Sequence, residues 1–109
     1  IKLQKKSEAI CNALDKYFGS STEYKKPDGG IFVWVDMHKK VDTSRLYELA
    51  LKDGVAINPG NEWSINKSGR HKMRLCFGNP SIKEIDEGIK RLAIICRKEF
   101  GIPTKIANL

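Results

Sequence analysis

The run Ile31-Phe32-Val33-Trp34-Val35 is the longest uninterrupted apolar stretch in the chain, and it is only five residues long. β-Branched and aromatic side chains in succession favour an extended strand. Both faces of such a strand are apolar, so it is expected to be central in its sheet and covered on both sides. The run is far too short for a membrane-spanning helix, which needs about twenty apolar residues.

The sequence around this run alternates between helix and strand patterns. Leu3 to Phe18 reads as a helix, because Ile10, Leu14, Tyr17 and Phe18 fall on one stripe. Gly19-Ser20-Ser21 ends it, and Thr22 to Lys26 is expected to be a short edge strand. Pro27-Asp28-Gly29-Gly30 is a turn signal. Asp42-Thr43-Ser44 offers caps for a second helix, with Leu46, Leu49 and Ala50 on its inner face and Gly54 at its end. Val55-Ala56-Ile57 is expected as a short strand, stopped by Asn58-Pro59-Gly60. Residues 61–70 read as a polar loop with one large apolar residue, Trp63.

His71 to Phe77 alternates cleanly. His71, Met73, Leu75 and Phe77 point one way, and Lys72, Arg74 and Cys76 the other. Ser81 with Glu84 three residues on is a capping box, and Ile82, Ile85, Ile89, Leu92, Ile95 and Cys96 form the stripe of the last helix. Acidic residues lie in its first turns and Arg97 and Lys98 in its last, which suits the helix dipole. Gly101 and Pro103 stop it. The order α-β-α-β-β-α predicts an α+β fold, with helices packed on a small, mainly antiparallel sheet. Residues 1–103 are expected to form one domain and 104–109 a flexible tail.

A length of 109 residues fits one domain able to bury its own core. Ile1 starts in what reads as the middle of a helix, without an initiator Met or a secretory h-region, so the chain reads as a piece of a longer protein. Cys11, Cys76 and Cys96 are too far apart for a C-x-x-C pair and sit among apolar neighbours. They read as reduced thiols of a cytoplasmic protein. Twenty Lys plus Arg against thirteen Asp plus Glu give a net charge of +7, but the basic pairs are dispersed at element ends, which favours solvated surface over a nucleic-acid face. His38 and His71 have no partner at metal-ligand spacing, and there is no phosphate loop or nucleophile elbow. Asn66-Lys67-Ser68 matches a glycosylation sequon, which has no meaning in the cytoplasm.

Arg74 stands out in the middle of a good strand. A guanidinium stays charged, so partial cover demands an anion, and a carboxylate held by two parallel bonds matches its shape. The alternative is an exposed arginine on a solvent-facing strand. Lys72, on the same face, favours that alternative from the residues alone.

Several blocks together then resemble a known family. Pro27 to Val35 is similar to the "P-x-G-G-x-F-x-W" segment of fold type I pyridoxal-phosphate-dependent aminotransferases. Leu49-Ala50, Gly54-Val55 and Pro59-Gly60 resemble that family's "A…GV…PG" run, and Met73 to Phe77 its "R-L-x-F" strand. Ser81 to Leu92 resembles its "I-x-E-G-I-x-R-L" final helix. The blocks cover residues 27–95 in the family's order and are most similar to the class I/II branch, which holds aminoadipate- and aromatic-type aminotransferases and the aminotransferase-like halves of MocR-type regulators.

The resemblance implies the C-terminal small domain, which packs against a larger domain binding pyridoxal phosphate and closes over the substrate. It implies that Arg74 grips the α-carboxylate of an amino acid exchanging its amino group with a 2-oxo acid, and it reverses the preference for an exposed arginine. The Schiff-base lysine, the acid facing the pyridine nitrogen and the phosphate cup would precede Ile1, leaving no catalytic, cofactor-binding or metal residue here. The fragment alone is accordingly expected to be inactive, and its parent a homodimer. The alternative within the resemblance is the effector-sensing half of a MocR/GntR-type transcriptional regulator, the only case that implies DNA as a partner. Asn58-Pro59-Gly60 would lie near the cleft, and Trp63 stands where family members more often carry Phe.

Overall fold

A computed structural model describes residues 2–25, 31–60, 70–78 and 80–102. The elements run α1 (Lys2–Tyr17), β1 (Thr22–Tyr24), β2 (Phe32–Met37), α2 (Thr43–Lys52), β3 (Asn58–Pro59), β4 (Lys72–Cys76) and α3 (Ile82–Phe100), with a 3-10 turn at Gly19–Ser21. The strands form one antiparallel sheet in the order β1-β2-β4-β3. The expected α+β architecture is therefore present. Thr22–Tyr24 of the expected Thr22–Lys26 edge strand is β1, and Lys26 lies outside the described residues.

The alternation in β2 and β4 builds one dry face. Val33, Val35, Met37, Met73, Leu75 and Phe77 are buried there. The helical stripes close over them: Ile10 and Leu14 from α1 with Phe18 just after it, Leu46 and Ala50 from α2, and Ile85, Ile89, Leu92 and Cys96 from α3 belong to the same core cluster. Non-polar area removed from water drives this assembly, at about 25 cal/mol per Å².

Caps set the helix ends. Asp42, in extended conformation, accepts a bond from the Ser44 amide at 3.0 Å and starts α2. Fully buried Thr43 then donates both its amide (2.8 Å) and its hydroxyl (2.9 Å) to the carbonyl of Arg70, tying α2 to the chain just before β4. The capping box of α3 is complete: Glu84 N donates to Ser81 Oγ at 3.1 Å, and Ser81 N to Glu84 Oε1 at 2.9 Å. The bond from the Ser81 amide, and after it the Ser81 side chain, favours the carboxylate and holds the Glu84 pKa below its ordinary value. Gly101 closes α3 at φ 68, the left-handed conformation that disfavours a Cβ.

Two expectations need correction. β2 is central, since β1 and β4 pair with its two edges, but among the described residues it is covered on one face only. Trp34 is 51% exposed, and Phe32 and Asp36 are half-buried. All three point away from the face on which the helices pack.

The third strand also does not occupy Val55–Ile57. It is Asn58–Pro59, the dipeptide expected to stop it. The Val55 amide donates to the Ala50 carbonyl at 2.8 Å, so the backbone there still serves the end of α2 and cannot begin a ladder. Pro59 is tolerated because β3 is an edge strand.

The turn at Pro27 to Gly30, the sequon, Trp63, Pro103 and the tail 104–109 lie outside the described residues. So does most of the polar loop, residues 61–69.

Candidate functional site

The face of the sheet opposite the helices carries the alternate residues of β2 and β4. Trp34 and Arg74 are directly paired in register, as are Phe32 with Cys76 and Asp36 with Lys72. On the other side of β4, Asn58 is paired with Arg74. One row of this face thus reads Trp34, Arg74, Asn58 across three strands. Asn58 thereby stands beside Arg74, while Trp63 and the later part of that loop lie outside the described residues.

Arg74 is half-buried. Its guanidinium carbon lies 4.0 Å from the centroid of the Phe32 ring and 5.7 Å from that of Trp34, both within cation–π range. Its Nε is shut away from solvent and has no hydrogen-bond partner. Among the described residues no carboxylate approaches Arg74 within 4.0 Å. The neighbouring Lys72 does have one: its Nζ lies 3.9 Å from Asp36 Oδ1, which is also 3.9 Å from His71 Nε2. The charge on Arg74 is therefore partly desolvated and steadied by rings, and lacks a protein counter-ion among those residues. A planar cation in that condition is suited to an external carboxylate.

The two aromatic neighbours were not linked to Arg74 by the sequence reading. Their alternate spacing placed them on one face, but the signal for the contact is the β2–β4 register, which no local pattern supplies. His38 lies apart from this face in its bonding: its Nδ1 accepts from the Lys40 amide at 3.1 Å. Among the described residues no group of three His, Cys, Asp or Glu side chains is placed to hold a metal ion. Nor is any described helix long and apolar enough to cross a membrane. Cys11 and Cys96 are buried and Cys76 is half-buried on the open face.

The helices thus pack on one side of a small sheet, and the half-buried Arg74 lies on the other. The pattern of the family "Aminotransferase class I and II" matches residues 1–92, and the chain belongs to that family. It is 36% identical over 90% of its length to an uncharacterized aminotransferase of Saccharolobus solfataricus, of which it covers 24%. It is 34% identical over 85% of its length to aromatic-amino-acid aminotransferase 1 of Thermococcus litoralis, covering 22% of it. It is also 31% identical over 89% of its length to an uncharacterized HTH-type transcriptional regulator of Bacillus subtilis, covering 20% of it.

Among solved structures, the α-aminoadipate aminotransferase of Thermus thermophilus, complexed with N-(5′-phosphopyridoxyl)-L-leucine, superposes with a TM-score of 0.80 at 30% identity. That match covers 89% of this chain and 25% of the other. The chain thus spans no more than about a quarter of the proteins it matches.

Family and structural match both point to pyridoxal phosphate. That cofactor calls for a lysine amine and a partner for its pyridine nitrogen. The donors around Arg74 are a guanidinium, the Asn58 amide and a lysine already beside Asp36. Among the described residues this set does not fit the cofactor.

Proposed function

We propose that this chain is the C-terminal, substrate-closing domain of a pyridoxal-phosphate-dependent amino-acid aminotransferase, which moves an amino group between an amino acid and a 2-oxo acid. In this reading Arg74 binds the substrate α-carboxylate. The observation that carries it is the condition of Arg74: half-buried, laid against two rings, its Nε sealed and unbonded, and no carboxylate near it among the described residues.

The domain's part in the reaction is orientation and enclosure. Two parallel N–H···O bonds fix both the position and the plane of the carboxylate, and hence the direction of the bonds at Cα. Trp34 and Phe32 exclude water beside the ion pair, which strengthens it. The cofactor and the lysine that carries it belong, in this reading, to a large domain preceding Ile1. The parent protein is a cytoplasmic homodimer, and the fragment by itself is inactive. Residues 1–103 are one folded unit and 104–109 a tail. The complete burial of Ile102, past the end of α3, supports a boundary at that point.

The test is Arg74→Ala in the full-length protein. Loss of a charge-assisted bond of about 1.5–3 kcal/mol raises the KM for amino acids on the order of ten- to a hundredfold, while cofactor absorbance is unchanged. An unchanged KM overturns the role of Arg74.

The similarity to the Bacillus subtilis HTH-type regulator supports a second reading, in which the same face senses an amino-acid effector in a MocR/GntR-type transcription factor. Amino-acid-dependent operator binding by the full-length protein, without turnover, would establish it.

A further inference from the structure

The contact between Arg74 and the two aromatic residues of β2 carries an inference that rests on the carboxylate-binding reading and deepens it. An arginine side chain has four rotatable bonds, and a flexible guanidinium loses affinity when it must be ordered on binding. Here the guanidinium is already set. Its carbon is 4.0 Å from the Phe32 ring centroid, with Trp34 further away at 5.7 Å. Phe32 is diagonal to Arg74 in the ladder, because its own register partner is Cys76. Diagonal neighbours are within reach of long and aromatic side chains. Nε is sealed, which leaves the terminal pair of nitrogens as the edge able to meet a ligand.

We propose that Phe32 is a positioning residue for substrate binding: its ring holds the Arg74 guanidinium flat and turns its terminal edge outward, so that a carboxylate meets a fork already in place. Phe32 acts here through Arg74. Trp34, more exposed and further from the cation, shields one side of the same fork.

The experiment measures binding to the full-length apoprotein of two synthetic probes, the phosphopyridoxyl adducts of L-alanine and of ethylamine. They differ only in the α-carboxylate, which the ethylamine adduct replaces with hydrogen, so the ratio of their dissociation constants isolates carboxylate recognition. In the wild type the alanine adduct binds more tightly, and Arg74→Ala removes that preference. Phe32→Leu, which removes the ring face and keeps most of the volume, lowers the preference about tenfold, as expected for a partly desolvated cation–π contact. Affinity for the ethylamine adduct is unchanged. Phe32→Tyr retains the wild-type ratio, and Phe32→Met serves as a second ring-deleting variant should Phe32→Leu fold poorly.

A full preference in both ring-deleting variants overturns the proposal while leaving the Arg74 reading intact. Equal weakening of both probes also overturns it, since that marks a purely structural role. A wild type with no preference, or an Arg74→Ala variant that keeps one, removes the reading of the site and this inference with it.

Discussion

Trp34 and Arg74 face each other across β2 and β4, so a half-exposed indole and a half-buried guanidinium share the centre of the sheet face opposite the helices. In the proposed enzyme this pair lines the cleft between two domains.

Arg74→Lys tests the shape of the cation separately from its charge. An ammonium on a lysine stem keeps the charge but offers no parallel fork and no flat surface for Phe32. Affinity for a carboxylate substrate in the full-length protein should fall at least about tenfold, because one charge-assisted bond and the planar contact are lost. Full affinity in steady-state kinetics would show that charge alone suffices.

Thr43→Val removes one of the two donors to the Arg70 carbonyl and keeps the shape of the side chain. The amide bond at 2.8 Å remains, so the carbonyl stays satisfied. The expected loss is about 1 kcal/mol, read as a lower urea midpoint with an unchanged m-value. An unaltered midpoint would mean that the hydroxyl bond contributes nothing net.

Ser81→Ala breaks the α3 capping box and should cost about 1 kcal/mol near neutral pH. The Glu84 pKa is lowered in the folded state, first by its bond with the Ser81 backbone. A lowered carboxyl pKa stabilises above the unfolded value of 4.5 and loses its effect as pH falls through the folded value. The gap between wild type and a Glu84→Ala variant, which lacks the carboxylate, should therefore narrow as pH falls below 4.5. Denaturant titrations at several pH values measure it, and a gap independent of pH would contradict the reciprocal bond.

The three cysteines should react in order of exposure. Burial pushes the Cys96 thiol up to about 12, so almost none of it is thiolate at pH values near 8. Cys76, half-buried on the open face, should be modified first by a thiol reagent, with Cys96 reacting only on unfolding. Peptide mapping after a short exposure identifies the site, and early labelling at Cys96 would show that α3 opens locally.

Gly101→Ala isolates backbone strain. A Cβ at that position meets nothing within 4 Å, yet φ is +68. The expected cost of about 1 kcal/mol is conformational alone and should appear as a lower thermal midpoint.

Much of this fold was legible because local and tertiary demands coincide. β4 alternates because one of its faces is dry and the other is not, and the Ser81–Glu84 spacing can satisfy only a helix start. Gly19, Gly54 and Gly101, all named as helix stops, adopt positive φ. The errors fell where a distant or absent partner decides. Val55–Ile57 has strand composition, but the α2 terminus uses its backbone first. Phe32 and Trp34 are as apolar as a two-sided core strand, and the residues of a strand do not say whether its second cover belongs to the same domain. At the candidate site, Arg74 was identified by its place within a strand and by resemblance. Its contact with Phe32 depends on which rung of β2 meets which rung of β4, and that is a long-range fact.

The double bond from Thr43 to the Arg70 carbonyl also pins the two ends of the intervening excursion together. The sheet therefore receives β4 at a fixed point whatever the length of chain in between. Loop-closure entropy grows only logarithmically, so doubling a flexible loop costs about 0.6 kcal/mol. A longer or shorter excursion between Thr43 and Arg70 would thus leave the strand that bears Arg74 where it is.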